Sequence, residues 1–170
     1  QLENLYLKPE VADGYLRDQS VFGDGISIED VMNVLVKYEN GAQLSYSLNA
    51  FSPVEGFKVF FTGTKGRIEL VVTQKVPNPD DVESIHDAAI AGKSITVFPM
   101  IKAPYPVEIP EAERAHGGAD PILLNEIFGE PKADPLKRAA GHIAGAMSCL
   151  IGIAANKSIA TGMPVEIKSL

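Results

Sequence analysis

Apolar side chains recur at every second position on both sides of one turn signal. The apolar positions are Met32, Val34, Val36 and Tyr38 before it, and Leu44, Tyr46, Leu48 and Ala50 after it. The turn signal is Asn40-Gly41, a dipeptide that tolerates positive φ at both turn positions. A period of two is that of a strand with one buried face, so the pattern predicts an antiparallel hairpin.

The alternation continues further along the chain. A third strand is predicted at Phe57, Val59 and Phe61, and Gly63-Thr64-Lys65-Gly66 turns it into a fourth at Ile68, Leu70 and Val72. Short connections of this kind predict an antiparallel meander. Residues 95–98 and 105–109 are two further strand candidates. The second is expected at a sheet edge because prolines bracket it.

From Asp120 onward the apolar period becomes helical. Asp120 is expected to cap a helix with Pro121 at its first position, and Gly129 to end it. A longer helix is predicted from about residue 135 to 160, stopped by Gly162. A short helix over 82–91 and a last strand at Val165 and Ile167 complete the prediction. The expected class is α+β: one antiparallel sheet with helices packed on one face, and the other face available for oligomer contact.

The chain has 170 residues, which suits a single core. Residues 1–27 contain Pro9 and several glycines and predict an irregular leading segment, followed by one α+β domain over 28–170. Gln1 is not an initiator methionine, so a removed leader would leave no trace in this sequence. The cytoplasm is the favoured compartment, and an exported parent protein is the alternative.

Charge and residue usage exclude several classes of function. A net charge of −7 with scattered lysines argues against a nucleic-acid partner. The three histidines are far apart and there is one cysteine, Cys149, so no metal site is expected and Cys149 is expected to be a small packing residue. No apolar run approaches the ~20 residues needed to span a bilayer, so no membrane partner is expected.

One segment has the residue types of a ligand-binding site, the run His116-Gly117-Gly118-Ala119-Asp120. The paired glycines let the backbone approach a ligand, and a helix starting there presents free N–H groups. His116 and Asp120 could hydrogen-bond sugar hydroxyls, so His116, Gly117, Gly118 and Asp120 are the candidate substrate-binding residues. The alternative is structural: Asp120 caps the helix and the glycines serve a turn. No G-x-G-x-x-G follows a strand, so this chain is expected to bind no cofactor and to hold no catalytic residue.

Three segments together resemble the carboxyl-terminal half of the Gfo/Idh/MocA oxidoreductase family: residues 38–42, 63–69 and 152–165. The resemblance implies a substrate-binding and oligomerising domain without a Rossmann domain. Its parent would use NAD or NADP to oxidise a sugar, polyol or related molecule. The family's nucleotide-binding glycines and its Glu-Lys-Pro segment have no counterpart here. His116 and Asp120 match a His-Gly-Gly-x-Asp run of related members, some of which are NAD-dependent glycosidases. A glycosidase parent and a non-catalytic dimerisation or regulatory module therefore remain alternatives.

The strand faces predict how the chain assembles. One face is uniformly apolar and is expected to lie under the long helix. The other mixes polar residues with apolar anchors, as protein–protein contacts do. This face is expected to form a homodimer or a dimer of dimers, and its predicted contact residues are Leu35, Ser45, Ser47, Phe60 and Val71. The resemblance implies the same mode of association.

Overall fold

The computed structural model describes residues 3–16, 19–74, 90–110, 118–130 and 133–170. The chain divides into two compact units, residues 1–51 and 52–170. The amino-terminal unit contains a π-helical turn (Glu3–Leu7), helix α1 (Glu10–Asp13) and strands β1 (Val31–Lys37) and β2 (Gln43–Asn49). The carboxyl-terminal unit contains β3 (Gly56–Gly63), β4 (Gly66–Gln74), β5 (Ile90–Pro99), β6 (Tyr105–Val107), α2 (Ala119–Phe128), α3 (His142–Thr161) and a 3-10 turn (Ile167–Ser169).

In the amino-terminal unit, β1 and β2 form the predicted hairpin. They pair antiparallel from Val31↔Asn49 to Lys37↔Gln43. The Tyr38 N–H donates to the Ala42 carbonyl at 2.9 Å and closes the loop between them. Gly41 has φ +87°, whereas Asn40 is outside the positive-φ region. The turn therefore needs one glycine rather than two residues of positive φ, as in loops where a single left-handed residue ends the turn.

In the carboxyl-terminal unit, four strands form one antiparallel sheet in the order β3-β4-β5-β6. The predicted strand at 95–98 is confirmed within β5. The one predicted at 105–109 is confirmed for residues 105–107, which form β6 at the sheet edge as expected. The predicted helix over 82–91 is wrong at residues 90 and 91, which begin β5. Residues 82–89 of that prediction lie outside the described part of the chain.

The antiparallel α+β class is confirmed, but the strands are divided between two sheets. The predicted single meander is wrong at residues 52–55. There the Ser52 hydroxyl donates to the Val54 carbonyl at 2.9 Å, and a local turn replaces the hairpin that would have joined β2 to β3. Side-chain hydroxyls that bond nearby backbone compete in this way with ladder pairing.

The two faces of the β3–β4 pair are those that the alternation predicts. Phe57, Val59 and Phe61 lie opposite Val72, Leu70 and Ile68 on the apolar face. Much of this face is accessible, since Phe57 and Phe61 are 55% and 67% exposed. The expected cover by the long helix is not found in the described residues, where the main contact of α3 is with the 3-10 turn. Apolar residues surround α3 rather than forming one stripe: Ile143 and Ile159, on opposite sides, are both exposed.

Helix α3 begins later than predicted and ends where predicted. Lys137 has φ +51°, and the Asp134 side chain accepts from the Ala139 N–H at 2.8 Å. This turn delays the helix to His142. At the other end Gly162, with φ +69°, donates its N–H to the Ser158 carbonyl at 2.8 Å. The predicted last strand is wrong, because Ile167–Ser169 forms a 3-10 turn.

Two sequence expectations about α3 need correction. Helix α3 has 20 residues, and an 18-residue window within it has a mean hydropathy of 1.4. Among the described residues it is the one helix whose length and composition would suit a membrane span. The sequence analysis found no apolar run of this length, whereas the helix continues past its apolar residues through Asn156 and Lys157. A core helix of an α+β domain meets the same criteria, and the expectation of no membrane partner stays a prediction. Cys149, expected to be packed, is exposed.

Candidate functional site

Helix α2 positions the part of the predicted substrate site that the structure describes. Gly118 is the N-cap residue with φ +78°, and no side chain caps the helix there. Gly118 is half-buried, whereas Ala119 and Asp120 are exposed. The first N–H groups of a helix have no partner within it, so this end offers hydrogen-bond donors at the surface. His116 and Gly117 lie outside the described residues.

The expectation that Asp120 caps the helix is wrong, because the helix begins before this residue. The helix starts at Ala119, which places Asp120 inside the first turn instead of at the cap. Pro121 is accordingly the third helical residue rather than the first. A carboxylate in the first turn interacts favourably with the positive end of the helix dipole, typically by about 0.3–1 kcal/mol. The same charge would repel a pyrophosphate placed at this helix end.

The five predicted contact residues are divided between the two sheets. Leu35 lies opposite Ser45 in the β1–β2 pair, with Ser47 on the same face. All three are exposed, Leu35 to 84%. Phe60 and Val71 belong to the other sheet, where they lie on one face of the β3–β4 pair. The predicted contact residues thus belong to two sheets, where a single sheet was expected.

Sequence reasoning missed a cluster of side chains around Arg67 on the same face as Phe60. The Arg67 guanidinium carbon lies 4.4 Å from the centroid of the Phe60 ring. Arg67 Nε donates to Glu69 Oε1 at 2.6 Å, and its Nη1 donates to Thr62 Oγ1 at 3.3 Å. The register pairs Thr62 with Arg67 and Phe60 with Glu69. This register follows from the position of the Gly63–Gly66 turn. The cluster could therefore have been predicted from the sequence through that turn.

The Arg67 cluster fixes a long side chain that would otherwise be mobile. Arg67 and Glu69 have side chains 40% and 30% exposed. A cation over an aromatic face contributes roughly 0.5–1 kcal/mol when exposed, and more when water is removed. A preorganised arginine beside a partly exposed phenylalanine is typical of residues that anchor protein contacts.

An open depression lies at the carboxyl end of α3. Its lining includes Lys157, Thr161, Glu166 and Ser169. The Thr161 hydroxyl donates to the Lys157 carbonyl at 2.7 Å, and the Ser169 hydroxyl donates to the Glu166 carbonyl at 2.7 Å. Both hydroxyls therefore complete local turns, and neither is paired with a base that would make it a nucleophile.

Comparison with known proteins assigns the domain. Residues 7–167 match the model of the oxidoreductase family C-terminal alpha/beta domain, Gfo/Idh/MocA. The chain is also 35% identical over 160 residues to "Putative oxidoreductase YteT" of Bacillus subtilis (strain 168). That alignment covers 92% of this chain and 35% of the relative, so the chain spans about a third of the relative's length. No solved structure matches. The chain belongs to the Gfo/Idh/MocA oxidoreductase family and carries its carboxyl-terminal α/β domain.

Proposed function

We propose that this chain is the substrate-binding and oligomerising domain of an NAD(P)-dependent oxidoreductase that acts on a sugar, a polyol or a related hydroxylated molecule. The observation that carries the proposal is the family match over residues 7–167. The accessible start of α2 is consistent with it. The Gly118 to Asp120 segment offers backbone N–H donors beside a carboxylate acceptor, and a polyol hydroxyl can engage both kinds of group.

The cofactor would be held by a nucleotide-binding half of the parent protein rather than by this domain. When bound, NAD or NADP supplies the hydride acceptor. This chain's share is to bind and orient the substrate, with Asp120 accepting a hydroxyl proton in a hydrogen bond. Its sequence contains no G-x-G-x-x-G, and Asp120 places a negative charge at the start of α2.

This division predicts that the chain on its own binds neither NAD nor NADP. Calorimetric titration with millimolar cofactor should give only the heat of dilution. Inorganic phosphate serves as the matched ligand for non-specific anion binding. Saturable binding with a micromolar dissociation constant would show that a dinucleotide site exists in this domain and would overturn the division.

In the full-length enzyme, Asp120→Asn and His116→Ala are expected to weaken substrate affinity or turnover severalfold while leaving cofactor affinity unchanged. Asparagine keeps the size of the side chain, removes the charge and replaces one acceptor oxygen by an NH₂ donor. A purely structural Asp120 would instead change thermal stability by the modest helix-dipole contribution, with activity intact. Steady-state kinetics and melting temperature, measured on the same preparations, separate the two roles. The Glu126→Gln variant, also in α2, is the matched control.

The choice of substrates in that assay also tests the class of enzyme. Turnover of sugars or polyols with net reduction of NAD(P) supports the oxidoreductase. Release of an aryl leaving group without net NAD reduction would support the glycosidase alternative, which shares the His-Gly-Gly-x-Asp run. A full-length protein that lacks nucleotide-binding glycines and is inactive with both substrate types would favour the dimerisation or regulatory module.

We further propose that the domain forms a homodimer through the β3–β4 face that carries Phe60 and Val71. Support comes from the mixture of exposed aromatic, hydroxyl and paired charged groups on this face. The Arg67 cluster gives the face a rigid centre. Leu35, Ser45 and Ser47 form a second candidate surface on the β1–β2 hairpin, and each surface is tested separately.

A further inference from the structure

We propose that Asn40 is a site of spontaneous covalent modification, in which its side chain loses ammonia through a succinimide formed with Gly41. Asn40 and Gly41 are both exposed at the tip of the β1–β2 hairpin. The Asn40 Oδ1 accepts a hydrogen bond from the Ala42 N–H at 3.0 Å. This Asx-type turn folds the side-chain amide back over the peptide that follows it. Attack of the Gly41 nitrogen on the electrophilic Asn40 Cγ closes a five-membered ring, since only the Asn40 carbonyl carbon, Cα and Cβ separate the two atoms.

The reaction is balanced by one molecule of water. The Gly41 nitrogen gives up its proton and forms a bond to Asn40 Cγ, and the bond from Cγ to the side-chain nitrogen breaks as ammonia leaves. Water then opens the ring at one of its two carbonyls and leaves either aspartate or its β-linked isomer. Negative charge develops on Oδ1 during the attack, where the Ala42 N–H is already placed to stabilise it.

The chain contains a nearly matched site that should react several-fold more slowly. Asn49 Oδ1 likewise accepts from the Phe51 N–H at 3.1 Å. At both sites the attacking nitrogen must first break a backbone hydrogen bond. The Gly41 N–H donates to the Tyr38 carbonyl at 3.0 Å, and the Ala50 N–H donates to the Asp30 carbonyl at 2.7 Å. The main difference is the Cβ of Ala50, which hinders approach to the amide carbon, whereas glycine has none. In the whole sequence, Asn40 is the one asparagine followed by glycine.

The modification would alter the hairpin whichever way the ring opens. Aspartate adds a negative charge beside Glu39. The β-linked isomer routes the main chain through the former side chain and lengthens the loop by one methylene. That loop is closed by the Tyr38 N–H to Ala42 carbonyl bond, which fixes the Lys37↔Gln43 register. Conversion is therefore expected to loosen the tip of the hairpin and leave the β3–β6 sheet unchanged.

Ageing of the full chain in mildly alkaline buffer tests the proposal, because the attacking nitrogen must be deprotonated. Peptide mapping by mass spectrometry should show acid at position 40 several-fold ahead of position 49, with slower conversion in mildly acidic buffer. Equal conversion at the two positions would reject the role of the glycine. An intact Asn40 amide, under conditions where the denatured chain converts fully, would reject the site in the folded protein.

Two variants sharpen this test. Gly41→Ala should suppress conversion at position 40 several-fold, with circular dichroism checking that it folds, since alanine is unfavourable at φ +87°. Asn40→Gln leaves Gly41 in place and requires a larger ring, so it should lower total ammonia release by the share due to Asn40. Unchanged ammonia release from Asn40→Gln would overturn the proposal even if the glycine variant failed to fold.

Discussion

Gly66→Ala is expected to lower the free energy of unfolding by roughly 3 kcal/mol, near the upper end of what a residue held in a glycine-only backbone region contributes. Gly66 opens β4 with φ +145°, a value that other L residues rarely adopt. A Cβ there would also overlap the Phe98 carbonyl oxygen and approach Pro99 Cα to 2.9 Å, both in the neighbouring strand. Because these are backbone atoms, no side-chain rotation relieves the overlap.

For a domain of this size, the loss corresponds to a fall in melting temperature of about 6–12 °C. Gly63→Ala is the matched control. Gly63 lies opposite Gly66 in the same hairpin, its φ is not positive, and a Cβ there meets nothing within 4 Å. That variant should melt within a few degrees of the parent. Equal melting temperatures for both variants would show that β4 does not approach β5 as closely as described.

Phe60→Lys is expected to convert the proposed dimer to monomer. The charge would enter a desolvated contact and would also repel Arg67, whose guanidinium lies 4.4 Å from the centroid of the Phe60 ring. Truncation of an interface anchor usually weakens association by about 2 kcal/mol or more, and a symmetric dimer loses the anchor twice. Light scattering at several protein concentrations measures the shift.

The neighbouring residue supplies the control. Phe61 lies on the opposite, apolar face, where it pairs with Ile68. A folded Phe61→Lys variant should remain a dimer. Leu35→Lys tests the hairpin surface on its own. A folded Phe60→Lys variant that remains dimeric places the contact elsewhere, and a monomeric parent chain rejects the interface for this domain.

Local chemistry explains which elements could be predicted from the sequence. The hairpin follows from alternation around Asn40-Gly41, and the end of α3 follows from Gly162, because each depends on a few adjacent residues. The start of α3 depends instead on the turn from Asp134 to Ala139. The sequence in that turn also suits a helix, so periodicity placed the helix start too early.

Longer-range features were harder to predict. Nothing in the alternation of β1 to β4 reveals that the turn after Ser52 separates two sheets. The candidate site was recognised from its glycines and its family-like run, yet the position of Asp120 relative to the helix start needed the backbone. The Arg67 cluster requires the strand register, since the side chains that meet there belong to two strands.

The position of β3 at the edge of its sheet has a consequence for the behaviour of the domain in concentrated solution. Its outer backbone groups lie along eight residues, and the strand contains three phenylalanines and one valine but only two polar residues, Lys58 and Thr62. Such an edge can template pairing with another chain, and an inserted charge is the usual protection. Lys58 is the single charged residue of β3. By this rule Lys58 would oppose the extension of the sheet by a neighbouring molecule.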